Sequence, residues 1–158
     1  MRKLEFVFWT TLIATATPGI ALAQDGSVKA IYEKYNMLGT FAQDCSRPAS
    51  PTNNYYVSRM AGANHVQRDT MDGPTARARF TMIDKVEVVA PNEVRTIGPL
   101  TGKIGNNNFD RTPTDSVWRI EPNRIRFVEV TIGDRKVATG GRFTGNNQET
   151  PWLIRCGR

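Results

Sequence analysis

His65 is the only histidine of the chain, and Asp69 and Asp72 follow it closely. An imidazole with two carboxylates is the smallest set that could hold a metal or pass a proton. All three fall on one hairpin beside a turn, where such residues are common. Their spacing argues neither a Cys–His nor a Ser–His–Asp arrangement. His65 therefore reads as an exposed strand-edge residue. Asp84 is the other candidate acid, because it interrupts an otherwise apolar strand face, and a partly buried carboxylate can mark a site. A bulge, or an ion pair with a nearby arginine, accounts for it as well. Arg77, Arg79 and Arg126 would make a basic stripe if they shared a face, but they read as solvated strand faces. The runs "GNNN" and "GNNQ" could touch glycans, although turn chemistry explains them more simply. The sequence thus assigns no catalytic residue, no metal ligand and no cofactor.

The elements that position these residues follow from the two cysteines. Cys45 lies near the start of the folded part and Cys156 near the end of the chain. In an exported domain they are expected to form one disulfide. Closing so long a loop is worth about 4 to 5 kcal/mol through the unfolded chain. C-x-x-C spacing, which a redox pair would favour, is absent. Both cysteines sit in strand-like text, "TFAQDC" and "WLIRC". A bond requires their Cα atoms within about 7 Å, so the first and last strands must meet. A sheet that meets itself is a barrel, with a two-sheet sandwich as the alternative.

Export is read from the N-terminus. Arg2 and Lys3 precede an apolar run at residues 6–16, Pro18 and Gly19 break it, and Ala21-Leu22-Ala23 offers a cleavage site before Gln24. This is the order of a secretory signal peptide at 1–23. The run is shorter than the ~20 residues of a spanning helix, and Thr10, Thr11 and Thr15 dilute it. Residues 24–158 then form a single domain in the periplasm or outside the cell, with no stable membrane insertion. Loss of Arg2, Lys3 and Glu5 lowers the net charge from +6 to +5. The bases are spread along the chain, without the blocks that mark a nucleic-acid tail, and nucleic acid is not an expected partner in that compartment. A soluble basic surface is the simplest reading; attraction to an anionic envelope partner is the functional one.

Along the mature chain, Ser27 is placed to cap a short helix with Val28, Ile31, Tyr32 and Tyr35 on one stripe. The helix should end near Asn36 and cover an open barrel mouth or sheet face. "YYVSR" and "HVQRDTM" read as a hairpin around "AGAN". In the next stretch Ala76, Ala78, Phe80, Met82, Val86 and Val88 share one face. Arg77, Arg79, Thr81, Lys85 and Glu87 share the other, which reads as the wet one. Asp84 and Ile83 break the phase, and a bulge near Asp84 would explain both. "VEVVAPNEVRTI" and "VWRIEPNRIRFV" echo one another as hairpins turning at Pro91-Asn92 and Pro122-Asn123. A second bulge falls between Phe127 and Val128. Residues 101–115, rich in Gly, Asn and Thr, read as a projecting loop. The expected fold is all-β: about eight strands in an antiparallel up-and-down barrel with a short N-terminal helix, clasped by the Cys45–Cys156 disulfide.

Gly39-Thr40-Phe41, after a short helix and opening the first strand, resembles the G-x-W of lipocalin-like (calycin) barrels, with Phe in place of Trp. The resemblance implies an eight-stranded barrel with an apolar interior and one open end. It also implies a basic residue near the last strand packing over the aromatic, for which Arg155 and Arg142 are the matches. "GTFAQDCSRPASP" with the terminal "PWLIRC" resembles small exported proteins of proteobacteria, a likeness that implies no activity.

Two functions fit this reading. One is a periplasmic binding module, not an enzyme, holding a small apolar or amphipathic ligand, with Phe80, Met82, Asp84, Trp118 and Phe127 as the inward candidates. These large side chains would equally fill a small barrel. The other is a protein-interaction or inhibitor domain of the cell envelope, acting through its loops and basic surface.

Overall fold

The computed structural model describes residues 26–157; the leader read at 1–23 lies outside them. The first element, α1 (Val28–Lys34), starts where the Ser27 hydroxyl accepts the Ala30 N–H at 3.2 Å. Its buried side chains are Val28, Ile31 and Tyr32, the stripe expected from the 3.6-residue period. Asn36 takes φ +52° and ends the helix, a conformation that asparagine tolerates better than most residues.

Strands follow in the order β1 (Gly39–Ala42), β2 (Tyr55–Met60), β3 (Val66–Met71), β4 (Arg77–Ile83), β5 (Lys85–Ala90) and β6 (Glu93–Ile104). Then come β7 (Asn107–Glu121), β8 (Arg124–Ile132), β9 (Arg135–Thr139), β10 (Arg142–Phe143) and β11 (Leu153–Cys156). Eight of them, β1, β2, β3, β4, β6, β7, β8 and β11, pair antiparallel in a closed ring. β11 closes it, pairing with β1 on one side and β8 on the other. β5 extends the pairing of β6, while β9 and β10 hang from β8. Closure leaves the ring strands without free edges.

The seam is where the cysteines were expected to meet. Thr40 pairs with Cys156 and Phe41 with Arg155. The Cys45–Cys156 bond spans a sequence separation of 111 with Cα atoms 5.3 Å apart. Cys45 lies past the end of β1, so the clasp sits beside the seam.

The two Pro-Asn turns join β5 to β6 and β7 to β8, as their echo implied. They lie side by side: Ile120 donates its N–H to the Asn92 carbonyl at 2.8 Å. The bulge near Asp84 is present too. β4 and β5 are one strand bent there, both pairing with β6, and the Asp84 N–H donates to the Ile97 carbonyl at 3.1 Å. The bend brings two backbones together at Gly98, where an added Cβ would lie 1.8 Å from the Met82 carbonyl oxygen. The slip in β8 also occurs: Trp118 pairs with Phe127 and Val117 with Glu129, leaving Val128 without a partner on β7.

Two expectations fail. Residues 101–115 are not a loop. They belong to the long β6–β7 hairpin, paired out to Ile104 and Asn107, with Gly105 at φ +57° in a two-residue turn. Such turns need positive φ, and Gly-Asn supplies it, so residues typical of loops here mark only the tip. The second failure is the facing of β4. Arg79, Thr81 and Ile83 point inward, and Phe80 and Met82 point outward. Phe80 pairs with Asp69 on the outer surface and is covered by the Arg77 guanidinium, 4.8 Å from its ring centroid. The phase then changes at Asp84, so that Val86 and Val88 do pack on the core.

That core fills the end of the barrel plugged by α1. Tyr32, Met37, Phe41, Val66, Ile83, Val94 and Trp118 belong to one buried cluster. Among the described residues no helix is long and apolar enough to cross a membrane.

Replacing Cys45 by Ser is expected to cost about 2 to 5 kcal/mol in chemical denaturation. Gly98→Ala is expected to cost about 1 to 3 kcal/mol by forcing the Met82 carbonyl aside; an unchanged denaturation midpoint would contradict the close approach.

Candidate functional site

The inner face of the barrel changes character along its axis. Beyond the plugged core, inward positions carry hydroxyls: Tyr56, Thr70, Thr81, Thr96, Thr114 and Ser116. Leu100, Phe127, Val130, Ile132, Phe143 and Leu153 line the same space, and Leu100, Ile132 and Val130 are direct cross-strand neighbours of Thr81, Thr114 and Ser116. Short Thr and Ser side chains cannot fill the ring, and a cavity of about 200 Å³ remains. Gln43 and Asn54 add amides. For scale, an apolar cavity of about 150 Å³ holds benzene.

Two arginines line this cavity, Arg68 and Arg79, and none of the other lining residues is acidic. Arg68 is 7 % exposed. Its Nη2 donates to the Tyr32 hydroxyl at 2.5 Å, and its guanidinium carbon lies 4.2 Å from the Trp118 ring centroid. Both supports are neutral. Among the described residues no carboxylate reaches Arg68 within ion-pair distance. The next residue, Asp69, faces outward and is bound by Arg59, Arg77 and Gln67. Burial pushes the Tyr32 phenol above its ordinary range, opposed by the charge and hydrogen bond of Arg68.

Trp118 is a fully buried core residue that lies behind the cavity lining. Its indole N–H donates to the Thr96 hydroxyl at 3.2 Å. Phe127 packs on it with ring centroids 3.7 Å apart at 39°. Tyr56 meets both rings edge-on, at 6.2 and 5.9 Å. Of the five ligand candidates read from the sequence, Phe127 lines the cavity, and Trp118 is a core residue packed behind it. Phe80 and Met82 lie on the outer side of β4, and Asp84 is exposed at the bend.

The other chemistry-bearing residues are dispersed. His65 is exposed in the β2–β3 turn. A bulge between Thr70 and Met71 of β3 and the start of β4 puts Arg77 outside and Arg79 inside. Arg126 stacks on Trp152 at 4.8 Å, beside Arg124 at 4.3 Å. These three arginines therefore form no stripe. Arg155, by contrast, lies over the Phe41 ring at 5.3 Å and donates to the Asn36 carbonyl at 2.8 Å. Arg142 instead pairs with Glu149.

Sequence reasoning missed Arg68 and the inward hydroxyls. The signal was period two: Val66, Arg68 and Thr70 alternate in phase, as do Thr114, Ser116 and Trp118. An inward tryptophan or valine marks its alternate neighbours as inward too.

Compared with protein-family models, curated proteins and solved structures, the chain matches none.

The buried Tyr32 gives a pH dependence. Above about pH 10, the ordinary tyrosine range, the unfolded chain releases this proton while the folded chain retains it. The contribution is fully present below that range and is lost as pH rises from it through the higher value of the folded chain. Tyr32→Phe is expected to flatten that part of the fall. It should also cost about 1 to 3 kcal/mol near neutrality, by removing the acceptor of a buried donor. Denaturation curves across the alkaline range measure both.

Proposed function

We propose that this chain is an exported binding protein that holds a small amphipathic molecule inside its barrel. The observation that carries the reading is the cavity: an interior space where aliphatic and aromatic side chains are interleaved with hydroxyl, amide and guanidinium groups. Ligand sites combine mostly apolar lining with a few placed polar groups, and a barrel built only for stability gains nothing from leaving such space. The Cys45–Cys156 disulfide supports an oxidising compartment, in keeping with the leader-like N-terminus and a periplasmic location. The eight-stranded ring and the packing of Arg155 over Phe41 support a lipocalin-like ancestry.

A second reading has its own observation. An open groove of about 790 Å³ lies on the outer face, between the loop after Cys45 and strands β2 and β3. Val57, Met71, Pro48 and Pro74 line it around the Arg59–Asp69–Arg77 network. A surface groove of this kind suits a peptide segment of an envelope protein better than a small molecule.

Native mass spectrometry of protein purified gently from its own cells separates the two. A discrete added mass that disappears in Val130→Trp, with the melting temperature maintained, is the result expected for the cavity. A bare disulfide-bonded monomer, together with a crosslinked protein lost on Met71→Glu, would overturn it in favour of the groove.

A further inference from the structure

Arg68 is a cation held almost entirely away from water, and nothing among the described residues neutralises it. Removing a charge from water costs several kcal/mol unless it is paired. The face of Trp118 and the Tyr32 hydroxyl orient the guanidinium and offset part of that cost, but neither carries a negative charge. Surface arginines of the same barrel are treated differently. Arg95 pairs with Asp115 and Glu87, Arg119 with Glu93, and Arg124 with Glu121. The carboxylate next to Arg68 in sequence is turned to the opposite face by strand alternation.

One N–H of Arg68 goes to Tyr32, and the guanidinium borders the cavity. Thr81 is its direct cross-strand neighbour, and Thr70 and Arg79 form the adjacent pair. Hydroxyl donors and a second cation thus surround the same space, with no acid to compete. A guanidinium fork matches the two oxygens of a carboxylate. Phe127, Val130, Ile132 and Leu153 supply the apolar remainder.

We propose that Arg68 is the anion-recognition point of the cavity, and that the ligand is a small carboxylate with a hydrocarbon part. This rests on the interior-binding reading above and names its ligand class. The volume of about 200 Å³ limits the hydrocarbon to roughly five or six carbons or one six-membered ring, scaled from the cavity that holds benzene. A full-length fatty acid would have to extend beyond it.

The test uses three matched probes on the disulfide-bonded protein: hexanoate, hexanamide and 1-hexanol, followed by NMR shifts of cavity residues at neutral pH. The expected result is hexanoate binding at least about tenfold more tightly than hexanamide, the size of one charge-assisted hydrogen bond. In Arg68→Gln that preference should vanish while 1-hexanol binding persists. The comparison within the unaltered protein decides the matter even if the variant does not fold. Equal binding of hexanoate and hexanamide would overturn the proposal and leave the cavity reading standing. Failure of all three probes to move any cavity resonance would overturn both.

Discussion

The stacking of Arg68 on Trp118, with Tyr32 as hydrogen-bond partner, joins three parts of the molecule that are otherwise separate. Tyr32 belongs to the helix that plugs one end of the barrel, Arg68 to β3, and Trp118 to β7 across the ring. The cation sits between them and links the helix, the buried tryptophan and the β3 wall. On one side of this contact the interior is packed like any core. On the other side hydroxyls replace large aliphatic side chains and space remains. The contact therefore lies at the boundary between the packed end of the barrel and the end that holds the cavity.

The wall obeys a different rule from the interior. Outside, opposite charges alternate across strands, as in Glu87–Arg95–Asp115 over β5, β6 and β7. Exposed pairs of this kind are individually worth little, but they place carboxylates beside Arg95 and leave no continuous cationic face on those strands. Inside, the polar groups are mostly uncharged. The guanidinium of Arg68 is thus distinguished by its setting rather than by its residue type. A count of arginines would not single it out.

The architecture was readable because its signals are local or covalent. The helix stripe, the Ser27 cap, the Pro-Asn turns and both phase slips follow from short-range spacing, and two cysteines in strand text imply a sheet that meets itself. The facing of β4 was not readable by the usual rule. That rule equates the polar face with water, and here the polar face of Arg79 and Thr81 is turned toward the cavity, while Met82 and Phe80, the latter covered by Arg77, look outward. Trp118 and Phe127 were recognised as large and inward, whereas Arg68 and the threonines were passed over because a barrel interior was expected to be apolar. The hairpin of residues 101–115 was mistaken for a loop because its Gly and Asn residues are the same ones that loops use.

The position of the disulfide has a topological consequence. Cys45 and Cys156 enclose everything from β2 to β11 in one covalent ring. A single cut at any exposed turn, the Gly105 tip or the β2–β3 turn for example, opens that ring without dividing the molecule. The severed ends remain tethered through the sulfur bridge and through strands paired on both sides. A protein built in this way can lose one peptide bond in a protease-rich setting and still keep its first and last strands together.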